Sequence, residues 1–568
     1  MVAVVPIAPS GPSQPATSPA YNVTWNKMSL ATSFLLLLNL LAMPMKAYLS
    51  EELPWSHMTR PDTPYLNLSS LDPAFLTLSQ ALFSRDTLAS VPSFYDNTTL
   101  RTDIYRGLVD VRERAPVDRS DCIAFFYGVP GLVFYSPSFL DVLCSFAAVD
   151  HRKATLADEM TWQFRGACQY LTFFGLFVGQ GCLWLSVGDD ITMATPTPGV
   201  FTLTYTFQRP EYALWLWFKF AYRCGLLILV LVLTWRRYYR HCMELQRIVR
   251  AFGHVHPRSS DNDWHYELIV GDPTVLILMD PSVCAIFSID VWLSVQYMGI
   301  SMVRAAQTAN LYSFFFGFLY YSRTVWFAYF ALAGTSHALK RYRKEHLFAN
   351  IDKTLVAIAV AASNVPLTYV QTHTSLVRVY MWLFASLPSP DPYHEVDVAL
   401  GCILLSLIIA SVPVLYGFAH RTYRARRKRQ TPNARYTSQA FNGLKTRSVL
   451  CLVRGCGRRY PKNMLESGGS VYAAIQSDPR YAQHPTLSLR SVDCYLVCKK
   501  RQVPKQTVRL SLAQSLDRNL ADPASAILDD ETSDRATIFD RLEATPHPGP
   551  LRPTFKLQQG VVKSVWLA

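Results

Sequence analysis

Charge is scarce in this 568-residue sequence: Asp, Glu, Lys and Arg make up 17% of it, where soluble domains carry about a quarter. Half of the residues are apolar, which excludes an ordinary soluble chain of this length and points to membrane spans. Cysteine is sparse too, 12 in all, too few for a disulfide scaffold. There is no Walker, kinase, Gly-x-Ser-x-Gly or His-Glu-x-x-His signature, which removes the common nucleotide, phosphoryl-transfer, hydrolase and zinc-protease chemistries. No arginine recurs at every third position and no Thr-Val-Gly-Tyr-Gly run occurs, which argues against a voltage sensor and a potassium filter. An enzyme is therefore the weakest functional class, and no cofactor or metal is expected.

What is present is a series of long apolar runs. A membrane-spanning helix needs about 20 apolar residues to cross roughly 30 Å of hydrocarbon. Six segments meet that length or nearly so: Met28 to Met45, Ala213 to Thr234, Ser282 to Val303, Ala309 to Ala338, Thr354 to Thr372 and Val396 to Ala419. The net charge of +14 sits in short blocks beside these runs rather than over a surface, so nucleic acid is not an expected partner. Arg236 to Arg258, Lys340 to Lys353 and Arg421 to Arg429 are such blocks, and the preference of Lys and Arg for the cytosolic side places all three inside. The C-terminus is then cytosolic.

The same alternation puts residues 46–212 outside, with two N-glycosylation sequons at Asn67 and Asn97. It requires that Gly166 to Gly188, long enough to span but carrying Gln169, Gln180 and five glycines, does not cross. That segment is expected inside the external domain or re-entrant at its surface. The first run, with only Lys27 just ahead of it, fits a signal anchor; cleavage near Ala47 would leave five spans.

The expected fold is an α-helical polytopic membrane protein of about six spans, with a small α+β cytosolic domain at the C-terminus. Its segments are a cytosolic tail (1–27), a signal-anchor span (28–45), an external domain (46–212), a span (213–234), a cytosolic loop (235–281), a hairpin of two spans (282–338), spans at 354–372 and 396–419, and the C-terminal domain (430–568). Within the last, Val471 to Ile475, Asp493 to Cys498, Thr507 to Leu512 and Val561 to Leu567 read as strands. Cys122, Cys144, Cys168 and Cys182 share the external domain and are disulfide candidates, with three full pairings open.

The segments GDPTVLILMDPSVCAIFSIDVWLS (Gly271 to Ser294), YYSRTVWFAY (Tyr320 to Tyr329), GGSVYAAI, VDCYLVCKK and TVRLSL resemble a family of multi-pass membrane proteins from oomycetes. That family has no established activity, so the resemblance implies lineage and architecture alone.

The sharpest functional feature is a buried acid and base. Asp290, Ser294, Tyr297 and Ser301 fall on one face of a helix, and Ser313, Gly317, Tyr320 and Arg323 on one face of the next. Asp290 lies 13 residues before Val303 and Arg323 lies 14 after Ala309, so at about 1.5 Å per residue both sit about 20 Å below the intervening turn. A lone ion in hydrocarbon costs at least about 2.5–3.5 kcal/mol, so pairing is expected, either as a lock on helix register or as a site that opens. Arg223 competes for Asp290, while Lys219 one turn away can snorkel outward. An excess of buried bases would suit an anion or a lipid headgroup. Asn364 and Pro366 mark a possible kink in the fifth span. Irregular spacing makes Cys451, Cys456, Cys494 and Cys498 buried thiols rather than a zinc site, and His254, His256, Asp261, Asp263 and His265 a solvated loop. Two classes follow: a transporter or channel using the charge pair, and a receptor-like or scaffolding protein. Membrane lipid and an unidentified ligand or ion are the expected partners.

Overall fold

The computed structural model describes residues 21–56, 68–83, 91–96, 101–192, 197–210, 212–253, 264–307, 310–342, 344, 347–349, 351–428, 443–456, 469–477, 492–512, 538–545, 554–558, 560–562 and 564–568. Four helices among them are long and apolar enough to cross a membrane: Lys27–Ser56, Ala213–Phe252, Lys353–His373 and Ala399–Tyr423. A bent pair, Pro281–Trp292 and Val295–Ala306, raises the number to five if it is one span. The expected count of six is thus not reached by length and hydropathy alone.

The expected hairpin departs most from straight helices. Asp280 begins it as read from the sequence, its carboxylate accepting from the Ser282 and Val283 amides at 2.9 and 3.2 Å. At Leu293 and Ser294 the helix then turns by 75°, so Asp290 and the Ser294, Tyr297, Ser301 stripe do not share one continuous face. The second arm breaks as well: Leu311–Tyr321 and Val325–Arg341 are joined by a tight single turn, Ser322–Thr324. Depth counting along two straight helices fails for both arms.

The described strands make up two larger sheets and one two-stranded hairpin. The chain order is β1 (Asn22–Trp25), β2 (Ser93–Asp96), β3 (Thr102–Asp110), β4 (Gly166–Phe173), β5 (Leu176–Val187), β6 (Val200–Gln208), β7 (Trp264–Ile269), β8 (Glu395–Asp397), β9 (Asp493–Lys500), β10 (Val503–Leu512), β11 (Arg541–Thr545), β12 (Thr554–Gln558) and β13 (Trp566–Leu567). One sheet runs β2-β3-β6-β5-β4-β8, the other β1-β7-β9-β10-β13, with β11-β12 a separate hairpin.

The six-stranded sheet explains Gly166 to Gly188. It is the β4–β5 hairpin, closed by Phe174 and Gly175, both at positive φ, as the tightest hairpin turn requires. In β6 the alternation is regular: Phe201, Leu203, Tyr205 and Phe207 enter the main core, while Thr202, Thr204, Thr206 and Gln208 point to the opposite face. That face is covered by the Leu68–Leu82 helix, whose Phe75 packs with Ile104 and Trp184. Two disulfides tie this layer, Cys122 to Cys144 and Cys168 to Cys182, the second joining directly opposed residues of β4 and β5.

The five-stranded sheet joins segments far apart in sequence. Residues 22–25, expected as part of a cytosolic tail, pair in parallel with β7, and β7 pairs with β9. Val471 to Ile475 is helical, within Ser470–Ser477, and of Val561 to Leu567 only Trp566–Leu567 is strand. The helix wins because Asp493 and Arg509 hold it against the sheet: Tyr472 donates to Asp493 at 3.1 Å, and Arg509 lies over the Tyr472 ring at 3.7 Å. Burial opposes the Arg509 charge, but Asp493 outweighs it and holds its pKa above the ordinary value.

The two sheets lie at opposite ends of the Ala213–Phe252 helix. Strand β6 leads into its start, and its far part, Arg240–Phe252, packs Cys242, Leu245 and Val249 on the five-stranded sheet. A π turn at Trp235–Tyr239 carries the helix on into what the sequence suggested was loop. The tip of the broken hairpin reaches the six-stranded sheet, where Arg304 meets Asp103 at 2.7 Å and Ser313 meets Ser93 at 2.9 Å.

Candidate functional site

Asp290 occupies the last turn of Pro281–Trp292, and Arg323 sits in the tight turn between Leu311–Tyr321 and Val325–Arg341. Each charge is therefore at a helix break, where backbone groups lack helical partners. The C-terminal end of Pro281–Trp292 carries partial negative charge and favours a cation there. Arg323 supplies it, its Nη2 donating to the Asp290 carboxylate and lying 3.4 Å from the Asp290 carbonyl oxygen. The expected pair is made.

It is one edge of a larger cluster. Arg223 donates through Nε to Asp290 Oδ1 at 2.8 Å, through Nη1 to Glu51 Oε2 at 2.9 Å and through Nη2 to Glu51 Oε1 at 2.8 Å. Lys219, one helical turn earlier, reaches Glu51 Oε2 at 3.0 Å. It does not snorkel outward: its side chain is 1% exposed, because an acid waits on the inner side. Arg323 Nη1 lies 3.3 Å from Glu51 Oε1, and the Tyr320 hydroxyl donates to the same oxygen at 2.6 Å. Three cations against two carboxylates leave one formal positive charge. The Tyr48 and Tyr320 rings lie 4.8 Å from the Arg223 and Arg323 guanidinium carbons, adding negative ring faces.

Glu51 and Tyr48 are the functional residues that sequence reading missed. The first helix does not stop at the end of its apolar run; the tight turn Lys46–Leu49 continues it, and the Ala47 carbonyl accepts from the Ser50 and Glu51 amides, folding Glu51 back. A signal did exist, since an excess of buried bases asks for another acid and Glu51 lies close behind the first run.

A second cluster adjoins the first. Asp103 of β3 binds Arg209 and Arg304, and Arg209 lies between the rings of Tyr95 and Tyr297 at 4.7 and 4.5 Å. Tyr297 also faces Lys219 at 5.2 Å, so one ring links the clusters. Asn364 is brought to the edge of the site, donating to Thr324 Oγ1 at 3.1 Å beside Arg323. Pro366 lies inside a helix that continues from Lys353 to His373, without the break that a strong kink would bring.

The arrangement holds neither a nucleophile nor an open acid. All five charged side chains are at most 2% exposed. Its available chemistry is exchange of partners among fixed charges. Elsewhere, Cys494 and Cys498 lie buried on β9, whereas Cys451, also expected as a buried thiol, is exposed; contact with Cys242 and burial raise the Cys494 thiol, and burial pushes Cys498 up to about 12. Among the described residues no cluster of three metal-ligating side chains occurs. Asn67, Asn97, His254, His256, Asp261 and Asp263 lie outside the described residues. No family model, curated protein or solved structure matches the chain.

Proposed function

We propose that the chain is a polytopic membrane protein of the oomycete group its motifs resemble, and a transporter in which the Glu51, Asp290, Lys219, Arg223 and Arg323 cluster is the element that rearranges. Strand pairing supports the six-span topology with both ends cytosolic. Hydrogen-bonded strands must share one side of a bilayer, and β1, β7, β9, β10 and β13 unite the N-terminal segment, the 235–281 loop and the C-terminal domain. Strands β2 to β6 and β8 unite residues 93–208 with 395–397, the parts read as external.

The observation that carries the transport reading is the placement of Asp290 and Arg323 at two facing helix breaks, inside a fully occluded charge cluster. Irregular backbone and ions are tolerated at membrane depth where protein buries them, and transporters build their sites at such breaks. The test is current across planar bilayers holding the purified protein, in potassium chloride and in potassium phosphate, for the parent, Asp290→Asn, Arg323→Gln and the double variant. Changed current in a folded single variant supports the reading; folded variants that all conduct like the parent, or a parent that passes none, sink it. A receptor-like role is the second reading, favoured by the disulfide-tied layer joined through helices to a second sheet.

A further inference from the structure

The 75° bend opens a wedge between the two halves of the bent pair, the six-stranded sheet and the start of the Ala399–Lys428 helix. This wedge is an apolar pocket with about 700 Å³ of empty space, part of it open to the outside. Trp292 and Met302 form one wall, Leu405 the facing one, and Tyr205 and Phe207 of β6 the end. No charged side chain lines it, so an ion placed there would lose its hydration without compensation.

One polar group is left over. Tyr105 of β3 lines the pocket, is 2% exposed, and its hydroxyl has no hydrogen-bond partner among the described residues. Buried hydroxyls are ordinarily satisfied, so an unpartnered one on a residue that lines an apolar pocket points to a ligand that brings a single hydrogen-bonding group. Half-buried Trp292, Gln296 and Cys402 stand on the two span-forming helices at the pocket. Under the membrane placement proposed above, that side lies where the span-forming helices leave the bilayer and meet the external sheet.

We propose that this pocket binds a neutral lipid, a mostly hydrocarbon molecule with one hydroxyl group, entering from the bilayer and hydrogen-bonding to Tyr105. The site rests on the membrane placement but not on the transport reading, because binding is measured without any flux. Asp290 immediately precedes the lining residues Val291 and Trp292, so an occupied pocket abuts the charge cluster at the same bend.

The experiment uses the full chain in phosphatidylcholine nanodiscs with two photoactivatable probes, a cholesterol analogue and a long-chain alcohol. Saturable labelling on residues 291–303 or 398–406 is expected, and the probe that labels better tells a rigid ring system from a flexible chain. Gly299 lines the pocket, and a Cβ there meets only the Phe134 ring at 3.7 Å, so Gly299→Phe fills the space without striking backbone. It should cut labelling at least roughly ten-fold. Tyr105→Phe should weaken it roughly five-fold. If Gly299→Phe does not give monodisperse protein, Cys402→Phe fills the pocket from the other helix. Labelling that does not saturate, or that a folded filling variant leaves at the parent's level, overturns the site; saturable labelling indifferent to Tyr105→Phe overturns the hydroxyl requirement.

Discussion

Arg223 and Glu51, 172 positions apart, face each other as a fork on a carboxylate, Nη1 to Oε2 at 2.9 Å and Nη2 to Oε1 at 2.8 Å. This geometry satisfies both acid oxygens and leaves Nε free for Asp290. Arg223 is therefore the hub, and Lys could not replace it because an ammonium cannot hold three fixed directions in one plane. Three separate stretches of chain meet at this one side chain: the end of the first helix, the middle of Ala213–Thr234 and the bend after Asp290.

Glu51→Gln should be more damaging than any other single change in the cluster. It leaves Lys219, Arg223 and Arg323 with Asp290 alone, and removing one partner of a buried ion pair costs about 3–5 kcal/mol. The expected result is a large loss of monodisperse protein in detergent and a lower melting temperature. Adding Lys219→Met should recover part of the loss, since it removes one stranded cation. A Glu51→Gln protein that melts like the parent would show that the bases do not depend on this acid.

The two sheets should label from opposite sides of a cell membrane. Met160 is 52% exposed in the layer of the six-stranded sheet, and Cys451 is exposed beside the five-stranded one. On intact cells, a membrane-impermeant maleimide should modify Met160→Cys and reach Cys451 only after permeabilisation. Equal labelling of both before permeabilisation contradicts the topology.

The Asp290 and Arg323 pair and the start of the hairpin at Asp280-Pro281 were legible because each rests on local pattern and the cost of an unpaired buried charge. The breaks were not. Leu293-Ser294 holds no Pro or Gly, so no local residue pattern marks the 75° bend. Glu51 escaped for a related reason, since a turn after an apolar run gives no sign of folding back. The β4–β5 hairpin shows the limit of hydropathy: its residues are apolar enough for a span, and only the glycines and the alternation of sides pointed to another structure.

Acid should weaken the six-stranded layer through His151. Burial lowers its pKa below the ordinary 6.5, with its Nε2 placed 3.0 Å from the Phe146 carbonyl and its ring 4.3 Å from the Phe146 ring. The unfolded chain then binds the proton more readily than the folded one, so the group's contribution is complete above about pH 6.5 and declines as pH falls below it. Melting temperatures between pH 7.5 and 5 should drop for the parent and drop less for His151→Phe. Parallel curves would remove His151 as the cause.

Two glycines on the hairpin's second arm should respond in opposite directions to alanine. At Gly317 a Cβ would lie 2.7 Å from the Arg304 Cβ and 2.9 Å from both the Ala305 nitrogen and the Ser301 oxygen. Two of those neighbours are backbone and cannot rotate away, so Gly317→Ala must push the arms apart and should cost about 1–3 kcal/mol. The displacement would also draw Arg304 from Asp103, coupling the defect to the second charge cluster. At Gly334 nothing lies within 4 Å of the added atom, and a helical alanine outperforms glycine by about 1 kcal/mol at most. Melting temperature in detergent should therefore fall for Gly317→Ala and hold or rise for Gly334→Ala. If both variants shift alike, close contact between the arms is not what Gly317 provides.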